Sequence, residues 1–151
     1  MADRSMTRAL LPIAAVLAVV ACGSDVVAPE NINFVDELEI DLSVMTRTAS
    51  GLYILDLTVG DGAVVVAGDT VVVDYGGWLP NGANFDSGTD SDFQVGVGNL
   101  IDGFDEGMIG MRVGGTRSLV IPPALGYGDQ VKGGIPANST LVFRVALKGI
   151  L

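Results

Sequence analysis

Most of the chain after its first third alternates between apolar and polar positions. In "DTVVVDYGGWL", Val71, Val73 and Tyr75 alternate with Val72 and Asp74, which is the period of a strand with one face buried. Similar runs occur in "SGLYILDLTV", which ends in a Gly-Asp-Gly turn, and in "TRSLVIPP". The pattern therefore predicts an antiparallel β protein from about residue 46 onward.

The run "STLVFRVALKGI" near the end of the chain has the clearest division into two faces. Its apolar residues occupy every second position, at Leu141, Phe143, Val145 and Leu147. Arg144 falls between them and therefore points to the opposite face. This run predicts a strand that packs one face on the core.

One segment, "LIDGFDEGMIGM" (100–111), has the period of a helix instead. Its apolar residues are spaced three, four and three apart, at Ile101, Phe104, Met108 and Met111. The acidic residues Asp102, Asp105 and Glu106 are expected to face water or to favour the N-terminal end of the helix dipole. Three glycines weaken the isolated helix, so packing must hold it. The fold class predicted is α+β with strands dominant.

Charge and composition exclude several functions. The formal net charge of −10 makes nucleic acid an unsuitable partner. The chain contains no histidine and one cysteine, which excludes catalysis by histidine, metal cages of histidine and cysteine, and intramolecular disulfides. We predict no cofactor and no metal.

The N-terminus resembles the signal peptide of a bacterial lipoprotein. Arg4 and Arg8 precede a short apolar run (9–21), and "VVA" directly before Cys22 resembles a lipobox. This resemblance implies a lipoprotein signal peptide over residues 1–21, cleavage before Cys22 and lipid on its sulfur. The alternatives are an uncut anchor, or an ordinary signal with an incidental cysteine. Gly23 after the cysteine favours the outer membrane, facing the periplasm, in a Gram-negative cell envelope.

The remaining chain divides into two parts. Residues 22–45 are acidic and carry no sustained period, which predicts a tether with a short ordered piece near its end. Residues 46–151 form the single predicted folded domain.

The motifs of the folded part, taken in order, resemble the FKBP-type peptidyl-prolyl cis-trans isomerases over roughly residues 50–151. They are "VVVDYGGWLPNGANFDS", "FQVGVGNLIDGFDEGMIGMRVGGTRSLVIPPALGYG" and "IPANSTLVFRVAL". The resemblance implies a twisted antiparallel half-barrel of five to six strands, wrapped around one short α-helix, with a proline pocket between them. It implies an enzyme, a rotamase for X-Pro bonds in exported or unfolded polypeptides, which acts as a monomer and is a candidate target for macrolide inhibitors.

The resemblance also implies the site residues. Those assigned to catalysis are Tyr75, Phe85, Asp86, Tyr127 and Phe143. Those assigned to substrate binding are Phe93, Leu100, Ile101, Phe104 and Ile135. The Ile101 N–H and the Tyr127 hydroxyl would bind substrate carbonyls, and Asp86 would lie beside the twisting carbonyl.

Three departures from the family pattern stand out. Phe104 occupies the pocket floor, where the best-known relatives have tryptophan. The loop from Phe85 to Phe93 is shorter and lacks the arginine that would pair with Asp86. The loop after Tyr127 has Lys132 near the place of a histidine.

The acidic stretch "FDSGTDSDF" and the proline pocket each have another interpretation. Asp86, Asp90 and Asp92 lack the ligand order of a calcium loop, so Asp90 and Asp92 are interpreted as solvated loop carboxylates. The domain could instead be a non-catalytic chaperone module that binds proline segments, or a structural envelope protein with an inactive domain.

Overall fold

The computed structural model describes residues 26–151. The predicted signal peptide and Cys22 lie outside these residues. Within residues 26–151, no helix is long and apolar enough to cross a membrane.

Six strands form one antiparallel sheet. They are β1 (Thr46–Arg47), β2 (Tyr53–Thr58), β3 (Thr70–Trp78), β4 (Asn84–Gln94), β5 (Thr116–Ile121) and β6 (Leu141–Ile150). Their order across the sheet is β1-β2-β5-β6-β3-β4, which places β3 and β6 next to each other and β4 at an edge. The strand alternation read from the sequence thus corresponds to observed strands β2, β3, β5 and β6.

A single α-helix in the described part of the chain, α1 (Asp102–Met108), lies on one side of this sheet. Its glycines let it approach β5 closely. A Cβ on Gly103 would lie 2.5 Å from the Ile121 side chain, and one on Gly107 would lie 2.6 Å from Leu119. The same glycines that weaken the isolated helix therefore permit its packing. The predicted α+β class, with a half-barrel around a short helix, is confirmed.

The side of the sheet that carries α1, here called the inner face, holds the main core. Buried side chains there include Val73, Phe104, Leu119, Phe143 and Val145. Successive strand residues point to opposite faces, so the alternation in β6 separates Phe143 on the inner face from Arg144 on the outer face.

The outer face is covered by the chain's own N-terminal segment. It contains two 3-10 helices, Pro29–Asn31 and Asp36–Leu38. Leu38 is buried with Val120 and Val142 of the sheet, and Arg144 donates to its carbonyl oxygen at 3.3 Å. The ordered piece of the predicted tether is thus longer than expected. Apolar side chains of this segment, namely Phe34, Val35, Ile40 and Leu42, pack on the outer face without a regular period.

The stretch from Phe85 to Phe93 is a strand and not the loop that the sequence suggested. It belongs to β4, which pairs with β3 along its length apart from two register shifts. Because β4 is an edge strand with largely exposed side chains, it can pair without alternating apolar residues. Its aspartates and serines therefore gave no strand pattern in the sequence.

Candidate proline-binding pocket

A cavity of about 500 Å³ opens between the N-terminal end of α1 and the inner face of the sheet. Eight of the ten residues predicted for the site line it: Tyr75, Asp86, Phe93, Leu100, Ile101, Phe104, Tyr127 and Phe143. They come from β3, β4, the segment just before α1, α1 itself, β6 and the segment after β5, so the fold collects them from distant parts of the chain.

The two remaining predicted residues, Phe85 and Ile135, are not among those that line the cavity. Phe85 packs edge-on against Phe143, with ring centroids 5.4 Å apart, and so supports the wall. Ile135 is buried in the inner core. Their predicted roles would therefore be exerted through neighbouring side chains.

Aromatic rings form the floor and walls of the cavity. Phe104 lies at the centre, with its ring centroid 5.2 Å from Phe143, 5.8 Å from Phe93 and 6.1 Å from Tyr75. All three contacts are edge-to-face, which is a favoured arrangement of ring quadrupoles. The result is a preformed aromatic surface at the bottom of the cavity.

The Asp86 carboxylate stands at the edge of this aromatic surface and is hydrogen-bonded to Tyr75. The Tyr75 hydroxyl donates to Oδ2 of Asp86 at 3.1 Å. Burial, and then the hydrogen bond to Asp86, raise the pKa of Tyr75 above its ordinary value. Tyr75 therefore keeps its proton at neutral pH and remains a donor to Asp86.

Two donors that belong to lining residues have no partner among residues 26–151. The backbone N–H of Ile101 precedes α1 and has no acceptor there. The Tyr127 hydroxyl makes no side-chain hydrogen bond in the described chain, and its position follows the turn Pro123–Leu125. Both groups are free to receive carbonyl oxygens of a bound peptide.

Asp105 holds the segment that carries Leu100 and Ile101. Its Oδ1 accepts from the Gly96 N–H at 2.8 Å and its Oδ2 from the Gly98 N–H at 3.3 Å. The residue is only 8% exposed, so the first of its two expected placements, facing water, is wrong; it lies in the first turn of α1, as the second placement expected. The physical reason is that two loop N–H groups replace water as its hydrogen-bond donors.

The cavity also has lining residues that the sequence did not single out for it. These are Asn99, Asp102 and Gly126, and Lys132 joins them from the loop noted above. Asn99 and Gly126 directly precede predicted site residues, which is the only signal the sequence offered. Within residues 26–151, no group of three or more acidic or cysteine side chains could hold a metal ion.

A second depression, of about 470 Å³, lies on the outer face. It is lined by Trp78, Thr116 and Arg144 among others and lacks the cluster of phenylalanine rings. The inner cavity is therefore the one that suits an apolar ring.

Comparison with known proteins gives relatives of one kind. The model of the family "FKBP-type peptidyl-prolyl cis-trans isomerase" matches residues 62–148. The "FK506-binding protein" of Neisseria meningitidis serogroup B is 47% identical over 102 residues, which cover 64% of this chain and 94% of that protein. "FK506-binding protein 4" of Gibberella zeae is 48% identical over 67% of this chain, but the match spans only 21% of that protein's length.

Solved structures agree with these matches. The crystal structure of AtFKBP13 has a TM-score of 0.65 and 38% identity, with coverage of 71% of this chain and 98% of that one. The crystal structure of FkpA from Escherichia coli has a TM-score of 0.65 and 39% identity over 70% of this chain and 51% of that one. The chain belongs to the FKBP-type peptidyl-prolyl cis-trans isomerase family, as its motifs predicted.

Proposed function

We propose that this protein accelerates cis-trans rotation about X-Pro bonds of exported or unfolded polypeptides, without a covalent intermediate. The observation that carries the proposal is the cavity with a floor of aromatic rings, the Asp86 carboxylate at its edge, and the Ile101 N–H and Tyr127 hydroxyl without partners among residues 26–151.

The reaction needs no nucleophile. An X-Pro bond is planar because its nitrogen shares a lone pair with the carbonyl group, and rotation costs about 18 to 20 kcal/mol. The planar amide is more dipolar than the twisted one. Transfer from water to a surface made by Phe93, Phe104 and Phe143 therefore penalises the planar state more than the transition state.

The polar groups have separate tasks. The Ile101 N–H and the Tyr127 hydroxyl bind carbonyl oxygens and fix the peptide across the cavity. Asp86, oriented by Tyr75, supplies a fixed charge beside the carbonyl that turns. When the peptide is held in this way, its proline ring lies on Phe104.

Replacing Asp86 with alanine tests the electrostatic part of this mechanism. We expect kcat/KM to fall about tenfold, the equivalent of about 1.4 kcal/mol, because the twisting carbonyl loses a fixed charge. Exchange NMR on a proline tetrapeptide measures the rate. Asp92→Ala is the matched control, since Asp92 lies exposed on the same strand and outside the cavity.

The same measurement separates the enzyme from a non-catalytic binding module. If the wild-type protein binds the peptide but leaves the exchange rate at its uncatalysed value, the enzyme proposal fails and the binding module is favoured. FK506, the ligand in the names of several relatives, is expected to compete with the peptide for the cavity.

We further propose that the protein is anchored to the cell envelope by lipid on Cys22. The support is the lipobox-like "VVAC" after a short apolar run. Cys22→Ser is expected to move the protein from the membrane fraction to the soluble fraction, because acyl chains supply the membrane affinity. Metabolic labelling with a radioactive fatty acid gives the direct readout. Labelling and fractionation that are the same in both proteins would refute the anchor.

A further inference from the structure

Asp86 and Phe93 both face the pocket although they lie seven residues apart on one strand. Side chains of a regular strand alternate between faces, so an odd separation should place the two on opposite sides of the sheet. Residues directly opposite each other in an antiparallel ladder share a face. Phe93 lies opposite Val71 and Asp86 opposite Gly77, so the regular alternation must be interrupted between Phe93 and Asp86.

The interruption is an extra residue in β4. From Val73 to Tyr75 strand β3 advances by two residues, while its partners on β4 advance by three, from Ser91 to Gly88. This is a β-bulge. Without it, Ser87 would lie opposite Gly77 and the Asp86 carboxylate would turn to the outer face, away from Tyr75.

Asp90 occupies the bulge and has a left-handed backbone, with φ of 49°. Its N–H donates to Oδ1 of Asp74 at 2.8 Å. Asp74 precedes Tyr75 on β3 and therefore points to the outer face, opposite the pocket. The outer-face carboxylate thus fixes the backbone of the bulge.

Lys148 connects the two carboxylates from β6. Its Nζ lies 2.6 Å from Oδ1 of Asp90 and 3.3 Å from Oδ1 of Asp74. The hydrogen bond from the Asp90 backbone, followed by Lys148, lowers the pKa of Asp74. The two carboxylates raise the pKa of Lys148. Asp74 and Lys148 are therefore both charged at neutral pH.

We propose that Asp74, Asp90 and Lys148 form a positioning triad that fixes the bulge of β4 and thereby keeps Asp86 on the pocket face. The proposal rests on the function proposed above. Asp86 needs such support because its side chain is exposed and accepts a single hydrogen bond, from Tyr75, within residues 26–151. The triad takes the place of the arginine that the family pattern led us to expect beside Asp86 and that β4 lacks.

Lys148→Gln and Asp90→Asn test the triad, since both side chains are exposed and asparagine tolerates a left-handed backbone. We expect each to lower kcat about three- to fivefold with KM unchanged, because Asp86 is then less often held on the pocket face. Asp92→Asn makes the same charge change as Asp90→Asn at an exposed neighbour and should leave both constants as in the wild type.

The decisive comparison is made in the Asp86→Ala background. If the triad acts through Asp86, Lys148→Gln has no further effect on kcat there. An equal loss in both backgrounds, or a rise in KM with kcat unchanged, would overturn the proposal. A readout independent of activity is the nuclear Overhauser effect between the Asp86 β-protons and the Tyr75 ring. We expect Lys148→Gln to weaken it and Asp92→Asn to leave it unchanged; an unaltered signal in Lys148→Gln would refute the triad even if the protein proved inactive.

Discussion

Replacing Phe104 with alanine is expected to lower the free energy of unfolding by about 3 to 5 kcal/mol, the usual cost of deleting a buried phenyl ring. Phe104 is only 4% exposed. Its ring touches the rings of Tyr75, Phe93 and Phe143. Alanine would leave a void beneath three aromatic side chains that are held by the sheet and cannot collapse together.

Phe104→Ala should lose more activity than the fraction of unfolded protein alone would explain. A proline ring seated on Phe104 loses its floor in the variant, so KM should rise even at temperatures where the variant is folded. Phe104→Leu is the matched control, because leucine keeps most of the volume and should cost less than about 2 kcal/mol.

Two measurements check this prediction. Denaturant unfolding followed through the fluorescence of Trp78, the only tryptophan of the chain, gives the stability. Exchange NMR at low temperature and without denaturant gives KM. A stability loss below about 1 kcal/mol for Phe104→Ala would mean that the ring is not part of the core. An unchanged KM would mean that proline does not rest on it.

Much of the fold could be predicted because the inner strands bury one face. Val71, Val73 and Tyr75 in β3, and Leu141 and Phe143 in β6, follow the period of two that burial imposes. The helix could be predicted from Ile101, Phe104 and Met108 because they also line one buried face. The predicted range 100–111 extends beyond the observed helix at both ends. Met111 remains buried beyond the last helical turn, so it extended the apolar pattern without extending the helix.

The edge strand and the N-terminal segment could not be predicted in this way. The pairing partners of β4 lie in β3, and its exposed side chains show no apolar pattern that would indicate this pairing. Leu38 and its neighbours cover the outer face from 3-10 and irregular backbone, which has no long period to detect.

The pocket could be predicted only from the order of the motifs along the chain. The feature that controls its geometry could not be predicted even from that order. Composition and spacing alone do not bring Asp86 to Tyr75, since one bulge decides which face Asp86 occupies. Asp105 was expected either to face water, as a carboxylate on a short helix usually does, or to favour the N-terminal end of the helix dipole. Its acceptance of two loop N–H groups becomes visible only once residues 96–98 are placed beside α1.

Arg117 is the side chain that ties α1 to the sheet from its C-terminal end. It extends from β5 and is 8% exposed. Its Nη1 donates to the carbonyl oxygens of Gly107 at 2.9 Å and Ile109 at 3.2 Å. Its Nε and Nη2 donate to the two oxygens of Asp56, at 2.7 and 3.1 Å. A cation at this position satisfies carbonyls that the end of a helix leaves open and suits the negative end of the dipole.

Arg117→Met is therefore expected to lower the free energy of unfolding by about 3 kcal/mol, because two carbonyl oxygens lose a charged donor in a place with little water. Helix α1 has little stability of its own, since Gly103 and Gly107 are poor helix residues, so the loss should spread to the floor of the pocket. Denaturant unfolding measures the stability, and hydrogen exchange at the α1 amides reports the local loosening.

Asp56→Asn separates the two halves of this interaction. The Asp56 side chain is 40% exposed and its amide analogue still accepts from Arg117, so the variant should cost less than about 1 kcal/mol. If Asp56→Asn destabilises as much as Arg117→Met, the ion pair carries the interaction and the contacts to α1 are secondary. If it does not, and α1 exchanges faster only in Arg117→Met, the carbonyl contacts hold the helix under the pocket, and Phe104 keeps its place because of a cation at the C-terminal end of α1.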